Sequence, residues 1–310
     1  MCGDLMRMSI STPGNDFRLG ACEAPPAIMS MYLGDDMTEF LKNFKKGTTS
    51  KYTPKVKVGD YGASVVPQIE IPAEDRNRTS PFPFGGQRFE FRAAGASQNV
   101  SLINTVLATI TAKAFAEFST AIEKGADPTQ VARNALKKHW KIIFNGNGYD
   151  SKNQDLLTKK GVCRIDSGVD AIAKFTDKKN VNLFTQMGVL SKNECSAREK
   201  IMFHHYIGCV EIEAKCLIDM IRMQIIPLMI DLDMKSENLA AMADKIAVEL
   251  EEVHSSDDKK SLHEKAKLAR KLRLETMVEV RGEVDIIEGK IDPSLWPFAS
   301  YKDLLFLDAN

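Results

Sequence analysis

Apolar and polar positions alternate in short stretches of the front part of the chain, then recur at helical spacing. Lys55-Val56-Lys57-Val58, Ser64 to Pro72 and Arg88-Phe89-Glu90-Phe91-Arg92 alternate at period two, which marks half-buried strands. Pro67 sets the second of these at an edge or a bulge. Helices are expected near 26–47, 98–123 and 128–144, the last opened by Asp127-Pro128 with proline in the first turn. Leu102 to Phe118 is apolar almost all round and reads as a buried helix. Asn104, Thr105, Lys113 and Glu117 interrupt it too often for a membrane span.

Three longer helical runs fill the second half. Met202, His205, Cys209, Ile212, Cys216, Met223 and Ile226 recur at three- and four-residue spacing, and Pro227 is expected to end that helix. A second run carries Leu239, Met242, Ile246, Leu250 and Val253, with Ser236 as its expected N-cap. A third spans 259–288 through Leu268, Leu272, Met277, Val280, Val284 and Ile287. Short connections predict antiparallel packing into a bundle whose Met-rich seams form its core or meet another subunit. The expectation is an α+β chain, strand-containing over 1–150 and a long-helix bundle over 151–310.

Composition narrows the setting. The chain has 310 residues, 44% of them hydrophobic, with 42 basic against 42 acidic side chains. A net charge of zero offers no argument for nucleic acid or an anionic membrane, so neither is expected as a partner. No N-terminal apolar stretch has signal-peptide form. The six cysteines are scattered without a C-x-x-C pair, which suits reduced thiols in the cytoplasm. His205 and Cys209, four apart on a helix, could share a metal. Both lie on the stripe expected to face the core, so the core reading is preferred.

The chemistry concentrates before residue 106. Extended, 88–92 places Arg88, Glu90 and Arg92 on one face and Phe89 and Phe91 on the other. A carboxylate between two guanidiniums suits a cavity for a metal and several anionic groups; the other reading is a solvated charged face. Upstream, Arg76-Asn77-Arg78 puts two arginines two apart, fit to present forked donors to phosphate. Further upstream, Gly14-Asn15-Asp16-Phe17-Arg18-Leu19-Gly20-Ala21-Cys22-Glu23-Ala24-Pro25-Pro26 reads as a loop holding an arginine and a glutamate between rigid flanks.

Taken in order, these segments resemble the C-terminal half of the glutamine synthetase catalytic domain, with the type III form the best match. That family shows G-N-D-H-R-L-G-A-N-E-A-P-P-A-I, then D-R-N-R-T-S-P-F, F-E-F-R and a segment ending N-T. A later I-I-F-N-G-N-G-Y run is found here at 142–149, and Leu295-Trp296-Pro297 with Tyr301 to Phe306 is similar to its C-terminal signature. The resemblance implies ATP-dependent amidation of glutamate by ammonia through a γ-glutamyl phosphate, with Mg²⁺ or Mn²⁺. It implies that Arg18 and Arg92 hold substrate, that Glu23 and Arg92 are catalytic, that Arg76, Arg78 and Arg88 meet ATP, and that Glu90 is a metal ligand. It implies a ring-forming homo-oligomer.

The chain departs from that pattern at Phe17, where the family usually has His, and at Cys22, where it has Asn. The family's E-x-E metal motif, its other metal-ligating glutamates, its histidine motif and its N-terminal domain have no counterpart here. The expectation is therefore an incomplete chain of the enzyme, with doubtful activity alone. The alternative is a non-catalytic paralogue that assembles with full-length synthetase.

Overall fold

A computed structural model describes residues 2–306 except 22–23, 50, 54–56, 60–61, 63–68, 72–76, 96 and 256–260. Helices carry the fold. They are α1 (Gly3–Ser9), α2 (Pro13–Arg18), α3 (Asp35–Lys46), α4 (Ser101–Glu123), α5 (Pro128–His139), α6 (Ser151–Lys159), α7 (Gly168–Ile172) and α8 (Lys178–Gln186). There follow α9 (Lys192–Met220), α10 (Ile226–Asp231), α11 (Glu237–His254), α12 (Leu262–Lys271), α13 (Met277–Glu288) and α14 (Tyr301–Leu305). The chain forms two compact units, Met1–Glu199 and Lys200–Asn310.

The α+β expectation is overturned: the fold is all-α. Among the described residues the only ladder joins β1 (Lys57–Gly59) to β2 (Ile69–Ile71), antiparallel, with Val58 opposite Glu70. Elsewhere extended segments meet through single bridges, Ile28 with Arg164, Met31 with Ile143, Tyr32 with Pro83 and Phe84 with Phe89. The physical reason lies in the partner of the 88–92 run. That partner carries Pro81 and Pro83, which accept from Arg92 (2.9 Å) and Glu90 (3.0 Å) through their carbonyls but have no N–H to return. At these two positions the exchange runs one way; Gly85 N returns a bond to Arg88 O (2.7 Å), but no continuous strand forms. Residues 26–34, expected as helix, are instead the extended segment at the centre of these bridges.

In the first unit, α1 is the buried centre, with Leu5, Met8 and Ile10 fully inaccessible beside Val169, Ile172, Phe175 and Phe184. An arginine is buried with them. Arg7 donates from Nε to Ile165 O (2.7 Å) and from Nη1 to Ser11 Oγ (2.9 Å), and pairs with Asp16 at 3.6 Å, both side chains 0% exposed. Asp16 in turn accepts from Gly168 N (2.8 Å). At the other end of α1, Asp4 loses hydration on burial. Hydrogen bonds from Lys179 (2.7 Å) and Asn180 (3.0 Å) outweigh that and hold its carboxyl below the usual range.

Helix α5 starts as expected: Pro128 opens it and Asp127 accepts from Gln130 N (2.8 Å). Helix α4 is less buried than its sequence suggests. Only Ile103, Val106 and Thr109 are fully inside, while Phe115 stays exposed.

In the second unit, α9, α11 and the α12–α13 rod pack side by side. Arg222 pairs with Asp244 and His254 with Glu211 (3.2 Å), so α9 and α11 run antiparallel. Phe203 stacks on His263 (5.4 Å), and Arg273 forks onto Glu213 (2.6 and 2.8 Å). Leu239, Ile246, Leu250 and Val253 of α11 and Val280, Val284 and Ile287 of α13 are buried as expected. Ser261 and Glu264 close a capping box on α12, whereas Ser236 makes no cap bond.

Two expectations about α9 fail. Pro227 does not end the helix, because a wide turn at Ile221–Ile225 leads directly into α10. A π-type turn gives the proline ring room that a regular turn would deny it. The buried stripe is also a different one: Phe203, Tyr206, Ile207, Val210, Ala214, Ile218, Ile221 and Ile225 face inward. His205, Ile212, Cys216 and Met223 face solvent.

Candidate functional site

Three of the chemistry-bearing segments meet in the first unit. Helix α2 docks on the end of the 88–92 run through Asn15 and Arg18. Asn15 Nδ2, 1% exposed as a residue, donates to Ile10 O (2.7 Å) and Ala93 O (3.0 Å). Arg18 donates from Nη1 to Ala93 O (3.2 Å) and from Nη2 to Arg92 O (3.1 Å). Arg92 reaches the other way, donating from Nη2 to the carbonyls of Asn77 and Ser80, the latter at 3.0 Å. The residue 77–80 turn is shaped by Asn77, whose Oδ1 accepts from Thr79 N (2.8 Å) and Ser80 N (2.9 Å).

The 142–149 run joins the same turn. Gly148 N donates to Thr79 Oγ1 (2.8 Å), and Tyr149 Oη donates to Arg78 O (3.0 Å). A Cβ at Gly148 would lie 2.5 Å from Thr79 O, closer than packing permits. Glycine is therefore required by space. Asn145 ties the run to the helical side, accepting from Leu33 N (3.2 Å) and donating to Thr38 Oγ1 (2.8 Å).

The 88–92 run does not divide into a buried and an exposed face: Arg88, Phe89 and Glu90 are all exposed, and Phe91 and Arg92 are half-buried. Phe89 and Phe91 both contact Phe82, centroids 5.4 and 5.9 Å apart. Phe89 also lines an apolar cleft of about 380 Å³ with Met31, Leu33, Leu136 and His139. Burial in that cleft, with Lys138 and Lys141 nearby, pushes the His139 imidazole below its usual range. Arg78, Arg88 and Glu90 are each exposed. Arg18 and Arg92 are half-buried, and with five N–H groups each, neither guanidinium is exhausted by its bonds to backbone. Glu23, Arg76 and Cys22 lie outside the described residues.

Arg7, Asp16 and Asn15 hold this arrangement together, and sequence reasoning did not single them out. A charged residue between Leu5 and Met8 of a short apolar helix was the available signal for Arg7.

Residues 128–247 match the family model described as the glutamine synthetase C-terminal domain. The type-3 glutamine synthetase of Dictyostelium discoideum is 31% identical over 344 aligned positions, covering 98% of this chain and 46% of the relative. The glutamine synthetase of Bacteroides fragilis (strain YCH46) is 30% identical, covering 98% of this chain and 47% of its own. The chain belongs to the glutamine synthetase family. A third member, from Butyrivibrio fibrisolvens, is 31% identical over 70% of this chain and 32% of its own. The chain spans about half the length of the first two curated relatives.

Members of the glutamine synthetase family typically use ATP and a divalent metal, and the donor set bears on both. For ATP, exposed Arg78 and Arg88 are suitable: guanidiniums fork onto phosphate oxygens. For a metal, the described residues do not suffice. No three His, Cys, Asp or Glu side chains converge among them, and Glu90 is one exposed carboxylate.

Proposed function

We propose that this chain contributes the arginine-rich phosphate face of a glutamate–ammonia ligase that couples ATP cleavage to amidation of glutamate. The observation that carries the reading is the convergence of α2, the residue 77–80 turn and the 88–92 run, drawn together by Arg18 and Arg92. These segments are the ones that carry the resemblance. ATP supplies the phosphoryl group that makes the glutamate side chain reactive toward ammonia.

In this reading Arg78 and Arg88 bind and orient the nucleotide phosphates, with Arg76 beside them in sequence. Arg18 holds a glutamate carboxylate. Arg92, fixed by its bonds to the turn, offsets the charge that builds as phosphate passes to the substrate. Glu23 orients ammonium and accepts its proton, and Glu90 stands as a candidate metal ligand. Ring-forming self-association and a cytoplasmic setting belong to the same proposal.

A second reading, an assembly subunit without turnover, is favoured by the lone carboxylate at Glu90. One experiment separates the two: phosphate release by the folded chain with ATP, glutamate, ammonium and Mg²⁺. The ligase reading expects release that requires all three substrates and falls about a hundredfold or more in Glu90→Ala or Arg92→Ala. The assembly reading expects no release while ATP still binds. Release that ignores glutamate would sink the first.

A further inference from the structure

On the outer side of α9 the exposed imidazole of His205 meets the half-buried thiol of Cys209. Cys209 Sγ lies 3.7 Å from Nε2 and 3.8 Å from Nδ1 of His205. A tetrahedral zinc ion, about 2.3 Å from sulfur and about 2.0–2.1 Å from nitrogen, holds two such donors about 3.6 Å apart. The separation is already that of two ligands on one ion. The spacing of four residues puts both on one side of a regular helix, so the bite is set by backbone and needs little reorganisation. The imidazole turns readily about its terminal torsion to aim either nitrogen.

Two donors leave a tetrahedral ion half-coordinated. Among the described residues no third His, Cys, Asp or Glu joins them, so the remaining ligands come from elsewhere. The surroundings show what fits. Ile201 is 65% exposed, Ile212 71% and Met223 75%, all on the same face as His205 and Cys209. Between the two donors sits Gly208, where an added Cβ would meet nothing within 4 Å. A second helix can approach closely there. The apolar flanks give it surface to cover, and a two-fold contact would bring the same patch to itself.

We propose that His205 and Cys209 form half of a thiophilic divalent-cation site, completed by the same pair from a second copy of this chain to give a His₂Cys₂ tetrahedron. Each Cys209 binds as thiolate, so one proton per chain leaves as the ion enters. The bond formed is metal to sulfur; nothing is oxidised. This inference stands apart from the ligase reading, because its residues lie in the second unit and its readout is metal binding.

The test uses the full chain and Co²⁺ as a spectroscopic substitute for Zn²⁺. The expected result is a thiolate-to-cobalt charge-transfer band with tetrahedral visible absorption, saturating at one ion per two chains and displaced by Zn²⁺. Sedimentation should show mass increasing with Zn²⁺ and returning on chelation. Cys209→Ser and His205→Ala, both surface changes, should lose band and mass shift together. Ile212→Glu keeps both donors but places a charge at the contact, and should weaken metal binding and association in parallel. One ion per chain, a band that survives Cys209→Ser, or the absence of any band would each overturn the proposal.

Discussion

Arg7→Met should destabilise the first unit by about 3–5 kcal/mol, the usual cost of removing one partner of a buried ion pair. The substitution is close in volume, so no large cavity is made. What is lost is charge and donors. Ile165 O, Asp166 O and Ser11 Oγ each lose a donor, and Asp16 is left inaccessible without its guanidinium. At about 1.4 kcal/mol per decade, the folding equilibrium shifts by roughly two to four orders of magnitude. Urea unfolding followed by Trp140 fluorescence reports on this unit, since Trp140 packs under Lys45 there (3.6 Å). Adding Asp16→Asn to Arg7→Met removes the stranded charge and should recover part of the loss. A midpoint unchanged in Arg7→Met would show that the pair is not fixing α1 against the 165–168 segment.

Gly148→Ala is the second large effect. The new methyl would sit 2.5 Å from Thr79 O, a backbone atom that cannot rotate away. Either the residue 77–80 turn or the 145–149 run must move, and the 2.8 Å bond from Gly148 N to Thr79 Oγ1 breaks. Overpacking of this kind costs about 1–3 kcal/mol. The turn also carries Arg78 and receives Arg92, so ATP affinity should fall with stability. Gly282→Ala is the control: nothing lies within 4 Å of the added atom, and an alanine inside a helix should stabilise by about 0.5–1 kcal/mol. Equal behaviour of the two variants would contradict the spatial argument.

Much of the helical architecture was legible because its signals are local. Asp127-Pro128 starts α5, and the stripe through Leu239, Ile246 and Leu250 buries as its spacing predicts. The face of α9 was not legible, because that helix has two apolar stripes of the same period. Periodicity cannot choose between Phe203, Tyr206, Val210 and Ala214 on one side and Met202, His205, Cys209 and Ile212 on the other. Only the partners α11 and α12 decide. The strand expectation failed where prolines in the neighbouring segment withheld donors. Of the motif segments legible in the sequence, Arg92 and the 142–149 run meet at the 77–80 turn, while Arg18 reaches the end of the 88–92 run. Their supports were not legible: Arg7 finds acceptors 158 and 159 residues away, which no short-range pattern encodes.

Calorimetric titration of the 310-residue chain with ATP tests whether exposed arginines of the first unit bind nucleotide phosphate. The expected result is saturable binding that weakens as salt rises and is competed by pyrophosphate. Arg78→Ala and Arg88→Ala should each lose about tenfold or more, each removing a charge-assisted contact worth about 1.5–3 kcal/mol. Failure to bind ATP, or binding indifferent to both arginines, would contradict the phosphate-binding reading.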